Sequence, residues 1–288
     1  MTQEQKLNIL NLLSPEDPRS FDTICQFIHD SDTEVSENAI ASLDDYPTEE
    51  TFNILLSELG KSLYDNKIRY LFLALRNFYS PKLEPFVIKE ITRIDKNKNI
   101  LHHIALHLRY FPADFAKKML RKIITDCPDN QVIVFAVESL TWFNSLDLKN
   151  DWINLSSNGH PYIEQIANNA IKQLNNASVQ PIPWSIETDD VNASDLPNLF
   201  QLAKAKDHTD AILISARIKK HLDFEILLPS IKFENENLFE MQLNQILYLN
   251  PGIDEVTFDY VANINEQLLT KQYICKIRVF NDEFVIVD

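Results

Sequence analysis

The chain has 288 residues and a formal net charge of −15, and 45% of its residues are hydrophobic and 24% charged. These values are typical of a globular protein with a core of ordinary size. The acidic excess disfavours binding along a nucleic-acid backbone, which needs a basic stripe. Glycine occurs only 3 times, which disfavours phosphate-binding loops and dinucleotide-binding turns, because both need glycine. An all-α fold suits this composition.

The cysteines and the first residues give no sign of export or metal binding. Cys25, Cys127 and Cys275 lie far apart and form no C-x-x-C pair, so neither a disulfide framework nor a zinc site is expected. The start of the chain lacks the basic and apolar segments of a signal peptide. No apolar run approaches the roughly 18 residues of a transmembrane helix. We therefore expect a cytoplasmic protein without membrane contact, metal or other cofactor.

Helical patterns separated by short polar breaks follow one another over the first part of the chain. They predict five helix pairs. The first helices of the pairs are expected near 19–30, 48–59, 81–94, 113–126 and 146–156. The second helices are expected near 33–45, 66–79, 98–110, 129–143 and 161–174.

The chain beyond the fifth pair has a different character. Its first segment, which contains Trp184, has no helical period and is interpreted as a linker or strap. Further helices are expected near 196–206, 209–221, 236–249 and 255–269. The segment 272–288 alternates and is rich in β-branched residues, which predicts a hairpin with its turn at Asn281-Asp282. The sequence thus predicts three regions: a helical repeat over 1–176, a strap over 177–194, and a C-terminal helical region over 195–288 that ends in a hairpin.

Three columns of similar residues recur at a spacing of 31 to 33 residues, which indicates a repeat. One column consists of Ala41, Ala74, Ala105, Ala136 and Ala167. A second consists of Val35, Ile68, Ile100, Val132 and Ile163. A third consists of Tyr46, Tyr79 and Tyr110, each followed within two residues by proline. Such units are helix pairs whose apolar faces become buried only when neighbouring units stack.

The repeat resembles a known family. The segment DSDTEVSENAIASLDDYP (Asp30–Pro47) is similar to the second half of a HEAT repeat, and its aspartate, valine, alanine and leucine are Asp32, Val35, Ala39 and Leu43. The segment Ser156–Leu174 is similar too. The family often places an arginine after the valine, and here only Arg69 conforms. The resemblance covers about residues 15–176 and implies an α-α superhelix, that is a HEAT-like solenoid, with a binding role.

A partner surface is expected along the second helices, because this face lines the concave groove of such a superhelix. The candidate residues are Arg69, Arg76, Tyr79, His103, His107, Tyr110, Glu138, Trp142, Gln165 and Asn169. Their mixture of charge and hydrogen-bonding groups suits a protein surface better than a polyanion. The histidine pair has the i, i+4 spacing of metal ligands, but polar groove residues are the favoured interpretation. The alternative for the aromatic residues is that they seal contacts between units.

The sequence contains no G-x-S-x-G, P-loop or similar catalytic motif, so an enzyme is not expected. The favoured hypothesis is a module that binds another protein with a basic surface, as an inhibitor or immunity protein of a toxin or effector would. A scaffold or assembly factor of a larger complex is the second hypothesis. The third is a DNA glycosylase of similar helical repeats, which would use Arg69, Arg76, Trp142 and Asp147, and which the negative charge disfavours.

Overall fold

The structure is a computed structural model that is mostly helical, with a small antiparallel sheet. It describes residues 1–15, 17–61, 65–93, 98–143, 145–175, 210–221, 223–232, 236–264, 267–280 and 283–287. The chain divides into two compact units. The first unit contains Met1–Pro81 and most of the C-terminal sheet, and the second contains the helices that follow Pro81 together with Ile264–Lys271.

The first unit begins with five helices, which short polar side chains help to start. They are α1 (Gln3–Leu12), α2 (Pro18–Phe27), α3 (Thr33–Ser42), α4 (Glu49–Lys61) and α5 (Asp65–Leu75). The side chain of Asp32 accepts hydrogen bonds from the amides of Glu34 and Val35 in α3, and that of Asp17 accepts one from the amide of Arg19 in α2. Such caps satisfy amides that have no partner inside the helix.

The described residues of the second unit form six α-helices. They are α6 (Glu84–Thr92), α7 (Lys98–His107), α8 (Ala113–Asp126), α9 (Asn130–Leu140), α10 (Lys149–Leu155) and α11 (Pro161–Asn175). Helix α9 contacts α7, α8 and α11, and α6 contacts α7 and α8. Short 3-10 turns extend α7 over Leu108–Tyr110 and α9 over Thr141–Phe143, and a third precedes α10 at Leu146–Leu148.

The repeat columns form the core of the helical layers, which explains their period. All five residues of the valine and isoleucine column are buried, and so are the three column tyrosines. Four of the five column alanines are buried, whereas Ala41 is partly exposed. A small residue at this place lets neighbouring second helices approach closely. The five predicted helix pairs are therefore confirmed as helices.

The sheet belongs largely to the first unit and has six antiparallel strands in the order β1-β3-β2-β4-β5-β6. They are β1 (Phe78–Tyr79), β2 (Asp210–His221), β3 (Phe224–Lys232), β4 (Ile253–Ile264), β5 (Gln267–Phe280) and β6 (Glu283–Val287). Helix α12 (Glu236–Leu249) connects β3 to β4. Phe78 of β1 lies opposite Ile226 of β3, so the short strand after α5 pairs with the C-terminal part of the chain.

Aromatic rings join the helices of the first unit to its sheet. The ring centroid of Phe52 on α4 lies 5.7 Å from that of Phe78 and 5.0 Å from that of Phe224. All three side chains are buried. Tilted contacts at these distances are favourable for aromatic rings. The sheet therefore shares one core with the N-terminal helices.

Two predictions for the C-terminal region are wrong. The helices expected at 209–221 and 255–269 are strands, so this region is not a helical extension. The burial pattern gives the reason: Ala216 and Ile218 are buried while Arg217 is not, and Val256 and Phe258 alternate in the same way with Thr257. This period of two is that of a half-buried strand.

Other C-terminal predictions are confirmed. Helix α12 covers the range 236–249 expected from the sequence. Strands β5 and β6 form the terminal hairpin, with Phe280 opposite Glu283 on either side of the predicted turn. The strap at 177–194 and the helix near 196–206 lie outside the described residues.

Ion pairs link α8 to the segment about 30 residues further on. The guanidinium of Arg121 lies 2.8 Å from the carboxylate of Asp151, and the ammonium of Lys117 lies 3.1 Å from that of Asp147. Asp147 also accepts a hydrogen bond from the Ser145 hydroxyl. These bonds, led by that of Ser145, hold the pKa of Asp147 below its usual value. The second unit thus has polar links between successive pairs on the layer of first helices.

Replacing Ala136 by leucine should destabilise the second unit, because Ala136 is fully buried on α9, against neighbouring helices. Extra volume in a packed core costs about 1–3 kcal/mol. The free energy of unfolding, measured by urea titration with circular dichroism, should fall by that amount. Ala113→Leu is the matched control, since Ala113 is exposed at the start of α8. Equal effects of the two substitutions would contradict the close approach of the helices.

Replacing Asp147 by asparagine should lower the melting temperature by about 1–2 °C at neutral pH, because half-exposed ion pairs contribute little. The pKa of Asp147 is lowered in the folded state, so its stabilising contribution is complete above the ordinary value of 3.8. It should be lost as the pH falls through the lower folded-state pKa. Calorimetry across this range should show the two proteins converging. Asp114→Asn, at a fully exposed carboxylate, should show no such difference.

Candidate functional site

The structure places the ten candidate residues in three environments. Arg69, Arg76, Gln165 and Asn169 are exposed, and His103, Glu138 and Trp142 are partly exposed. Tyr79, His107 and Tyr110 are buried. Each unit therefore presents its own subset of these side chains.

In the first unit, Arg76 bridges two successive helix pairs. Its guanidinium lies 2.6 Å from the carboxylate of Asp44, which follows α3. Asn77 donates a second hydrogen bond, of 2.7 Å, to the other oxygen of Asp44. Burial raises the pKa of Asp44, and the charge of Arg76 opposes that rise. The main contact of Arg76 is therefore structural, whereas Arg69 is exposed on α5.

Tyr79 lies in the sheet. It occupies strand β1 opposite Glu225, and the sheet pairing keeps it 9% exposed. The carbonyl of Asn77 accepts a hydrogen bond of 2.7 Å from the amide of Leu227. Tyr79 therefore takes part in the join between the helices and the sheet.

His107 is buried, although a helical wheel places it on the polar face of α7. It is 3% exposed, and its ring meets that of Phe111 edge-on at 5.1 Å. The α-helix tightens into a 3-10 turn directly after His107, so the regular 100° step no longer applies and Phe111 returns over the ring. The i, i+4 histidine pair is thus split between a buried and a partly exposed side chain. Among the described residues, no group of three or more potential ligands could hold a metal ion.

Five residues of the second unit form a connected group, which we name the α9 cluster: Arg109, Glu138, Ser139, Trp142 and Tyr162. The guanidinium carbon of Arg109 lies 5.4 Å from the ring centroid of Trp142. The Nε of Arg109 donates a hydrogen bond of 3.1 Å to the hydroxyl of Ser139. The hydroxyl of Tyr162 donates one of 2.8 Å to the carboxylate of Glu138. The cluster therefore crosses from the end of α7 over α9 to α11.

Electrostatics couples the members of the α9 cluster. Burial lowers the pKa of Arg109, and the nearby charge of Glu138 raises it. The hydrogen bond to Glu138 raises the pKa of Tyr162, so its hydroxyl remains a donor at neutral pH. Arginine on a tryptophan face and a hydroxyl on a carboxylate are both directional contacts. The cluster is thus held in one arrangement at the surface.

Helix α11 continues this surface. Gln165 and Asn169 follow Tyr162 by three and seven residues, so at 100° per residue the three side chains share one face within an arc of about 60°. All three are exposed. We call Tyr162, Gln165 and Asn169 the α11 face. It adds neutral hydrogen-bonding groups beside the charged part of the α9 cluster.

Sequence reasoning identified Glu138 and Trp142 but missed Arg109, Ser139 and Tyr162. Arg109 and Ser139 are 30 residues apart, which is close to the repeat period. This spacing could have indicated that the two residues lie side by side in neighbouring units. Tyr162 stands immediately before the column residue Ile163. Both residues adjoin buried positions in the sequence, which conceals that Tyr162 is exposed and Arg109 partly exposed.

The residues that a glycosylase would need have other partners here. Asp147 is bound by Lys117 and Arg121 on the first-helix layer. Trp142 carries Arg109 on its face. Cys25 has no activated thiol, because burial and the carboxylates of Glu50 and Asp22 raise its pKa. No described contact gives any of these residues the geometry of a catalytic group.

No helix in the described part of the chain is both long and apolar enough to cross a membrane. The chain matches no protein-family model, and a search of curated proteins gives no significant match. The geometry of the α9 cluster is therefore the basis for a functional proposal.

Proposed function

We propose that this protein binds another protein through the α9 cluster and the α11 face. The observation that carries the proposal is the group of arginine, tryptophan, tyrosine and glutamate side chains on adjacent helices. Tryptophan, tyrosine and arginine are the residues that contribute most to protein–protein affinity. The mixed charge of the group suits a protein partner better than a polyanion.

The hydrogen bonds within the α9 cluster support this role. Arg109 is fixed by Ser139 and Trp142, and Tyr162 is fixed by Glu138. Side chains that are ordered before binding lose less conformational entropy when a partner arrives. The remaining donors of the Arg109 guanidinium and the exposed edge of Tyr162 are the groups that a partner would meet. A core of this kind surrounded by polar groups is the usual anatomy of an interface.

The finer form of the proposal is a HEAT-like stack that acts as an inhibitor or immunity protein for a basic toxin or effector. The repeat columns support the stacking, because their residues are buried in both units. The net charge of −15 supports a basic partner, since opposite charge accelerates association. A scaffold role would use the same surface with several partners. The number of proteins bound in stoichiometric amounts distinguishes these two roles.

Glu138→Lys should reduce partner binding at least tenfold, because it breaks the bond to Tyr162 and places a cation beside Arg109. The tagged protein is purified from its own cells at low and moderate salt, and bound proteins are quantified by mass spectrometry. One stoichiometric basic partner, released as salt rises, indicates an inhibitor. Several subunits of one assembly indicate a scaffold.

Asp126→Lys is the matched control, since it makes the same charge change at the exposed end of α8 in the same unit. It should leave partner recovery unchanged. Equal losses with both variants would mean that total charge, and not the α9 cluster, determines binding. Recovery of nucleic acid in place of protein would overturn the proposal.

A further inference from the structure

Helix α12 in the first unit is apolar on two opposite faces. Its inner face carries Phe239, Leu243, Ile246 and Leu247, all of them buried. The ring of Phe239 lies 6.5 Å from that of Phe258 on β4, and the helix also contacts β3. At 100° per residue these four side chains span an arc of about 100°. This face alone accounts for the attachment of the helix to the sheet.

The outer face of α12 carries a second apolar stripe, which we name the α12 face: Leu238, Met241 and Tyr248. Their exposures are 43%, 58% and 66%. With Gln245 these side chains fall within an arc of about 80°, opposite the inner face. An isolated exposed apolar residue needs no explanation. Three on one face that do not serve the core form a candidate surface for contact with a partner.

Exposed carboxylates lie beside this face. The side-chain amide of Gln245, which lies within the stripe, donates a hydrogen bond of 3.1 Å to the carbonyl of Asp45. The amide of Asn250, just past the helix end, donates one of 2.9 Å to the carbonyl of Pro47. These bonds hold the α12 face against the segment between α3 and α4. We name three exposed residues, one in this segment and two at the start of α4, the acidic turn: Asp45, Glu49 and Glu50.

One of the three carboxylates of the acidic turn pairs with a histidine, and the ammonium of Lys220 binds the nearby carbonyl of Asn250. Glu49 lies 3.0 Å from the Nε2 of His221. Within the described part of the chain, neither Asp45 nor Glu50 forms an ion pair with a lysine or arginine. A ligand of the α12 face therefore meets apolar side chains with the exposed residue Asp45 beside them.

We propose that the α12 face and the acidic turn together bind an amphipathic, lysine- or arginine-rich helical segment of a partner protein. Leu238, Met241 and Tyr248 receive its apolar side chains, as in other helix-recognition surfaces. Asp45 and Glu50 pair with its flanking cations. A second copy of this chain is disfavoured as the occupant, because each chain carries −15 and would bring like charge to the contact. The inference shares with the proposed function only the premise that the ligand is a protein.

The test uses the full chain and a labelled synthetic helical peptide of about 18 residues, or five turns. The peptide has leucines at i, i+3, i+7 and i+10 and lysines at the flanking positions. Fluorescence anisotropy should show binding that weakens as salt rises. The Leu238→Ser/Met241→Ser double variant should weaken binding about tenfold or more. Asp45→Asn/Glu50→Gln should weaken it and reduce its salt dependence.

Matched controls are Ile153→Ser and Asp114→Asn, which change an exposed apolar residue and an exposed carboxylate in the second unit. Both should bind the peptide like the wild type, and all variants should keep its melting temperature. A control peptide with glutamates in place of lysines should not bind. Absence of binding by the lysine peptide, equal binding of both peptides, or equal losses in the controls would overturn the inference.

Light scattering of the purified protein tests the alternative occupant. We expect a monomer, and we expect the Leu238→Ser/Met241→Ser variant to have the same mass in solution. A dimer that this variant abolishes would assign the α12 face to a second copy and overturn the inference. Glu138→Lys should leave peptide binding unchanged. If Glu138→Lys loses the natural partner while the wild type does not bind the peptide, the proposed function is therefore retained. Only the α12 site is then rejected.

Discussion

The fold depends on burying the apolar faces of helices that are too short to be stable alone. Helices α2 and α3 have 10 residues each, and isolated helices below about 12–15 residues are marginal in water. Each must therefore cover its column residue, such as Val35 or Val132, with a neighbouring helix. The requirement repeats at every pair and thereby fixes the spacing of 31 to 33 residues. In the first unit the sheet meets the same need, because Phe224 closes the core over Phe52.

The same spacing orders the polar side chains. Arg121 reaches Asp151 and Arg109 reaches Ser139, and both separations are 30 residues. These two bonds lie on different layers of the second unit and have different consequences. The first is a contact between opposite charges and acts as a link between successive helix pairs. The second adds Trp142 and, through Glu138, Tyr162, so a periodic contact becomes a surface with the chemistry of an interface.

The helices of the five pairs were predictable from sequence, whereas the sheet was predictable only in its terminal hairpin. A column such as Ile68 and Ile100 recurs locally, and periodic local patterns predict helices well. The pairing of Phe78 with Ile226 joins residues about 150 positions apart. Neither segment contains a local pattern that predicts its partner strand. In β2 and β4 the alternation typical of a strand competes with helix-forming residues such as Ala216 and Glu255. At the candidate site, Glu138 followed from the column, but the burial of His107 involves the ring of Phe111, which lies beyond the helix and is not represented on a helical wheel.

Affinity and association rate depend on different properties of a binding surface, and each of the two proposed surfaces has one of these properties. Long-range charge mainly raises the association rate and is screened by salt. A fixed aromatic and arginine cluster mainly slows dissociation, because its contacts are short-range and desolvated. The acidic turn, with Asp45 and Glu50 exposed, suits the first role, and the α9 cluster with Arg109 on Trp142 suits the second. The proposed binding protein therefore has one surface suited to attracting a basic partner by charge and another suited to retaining a partner by packing.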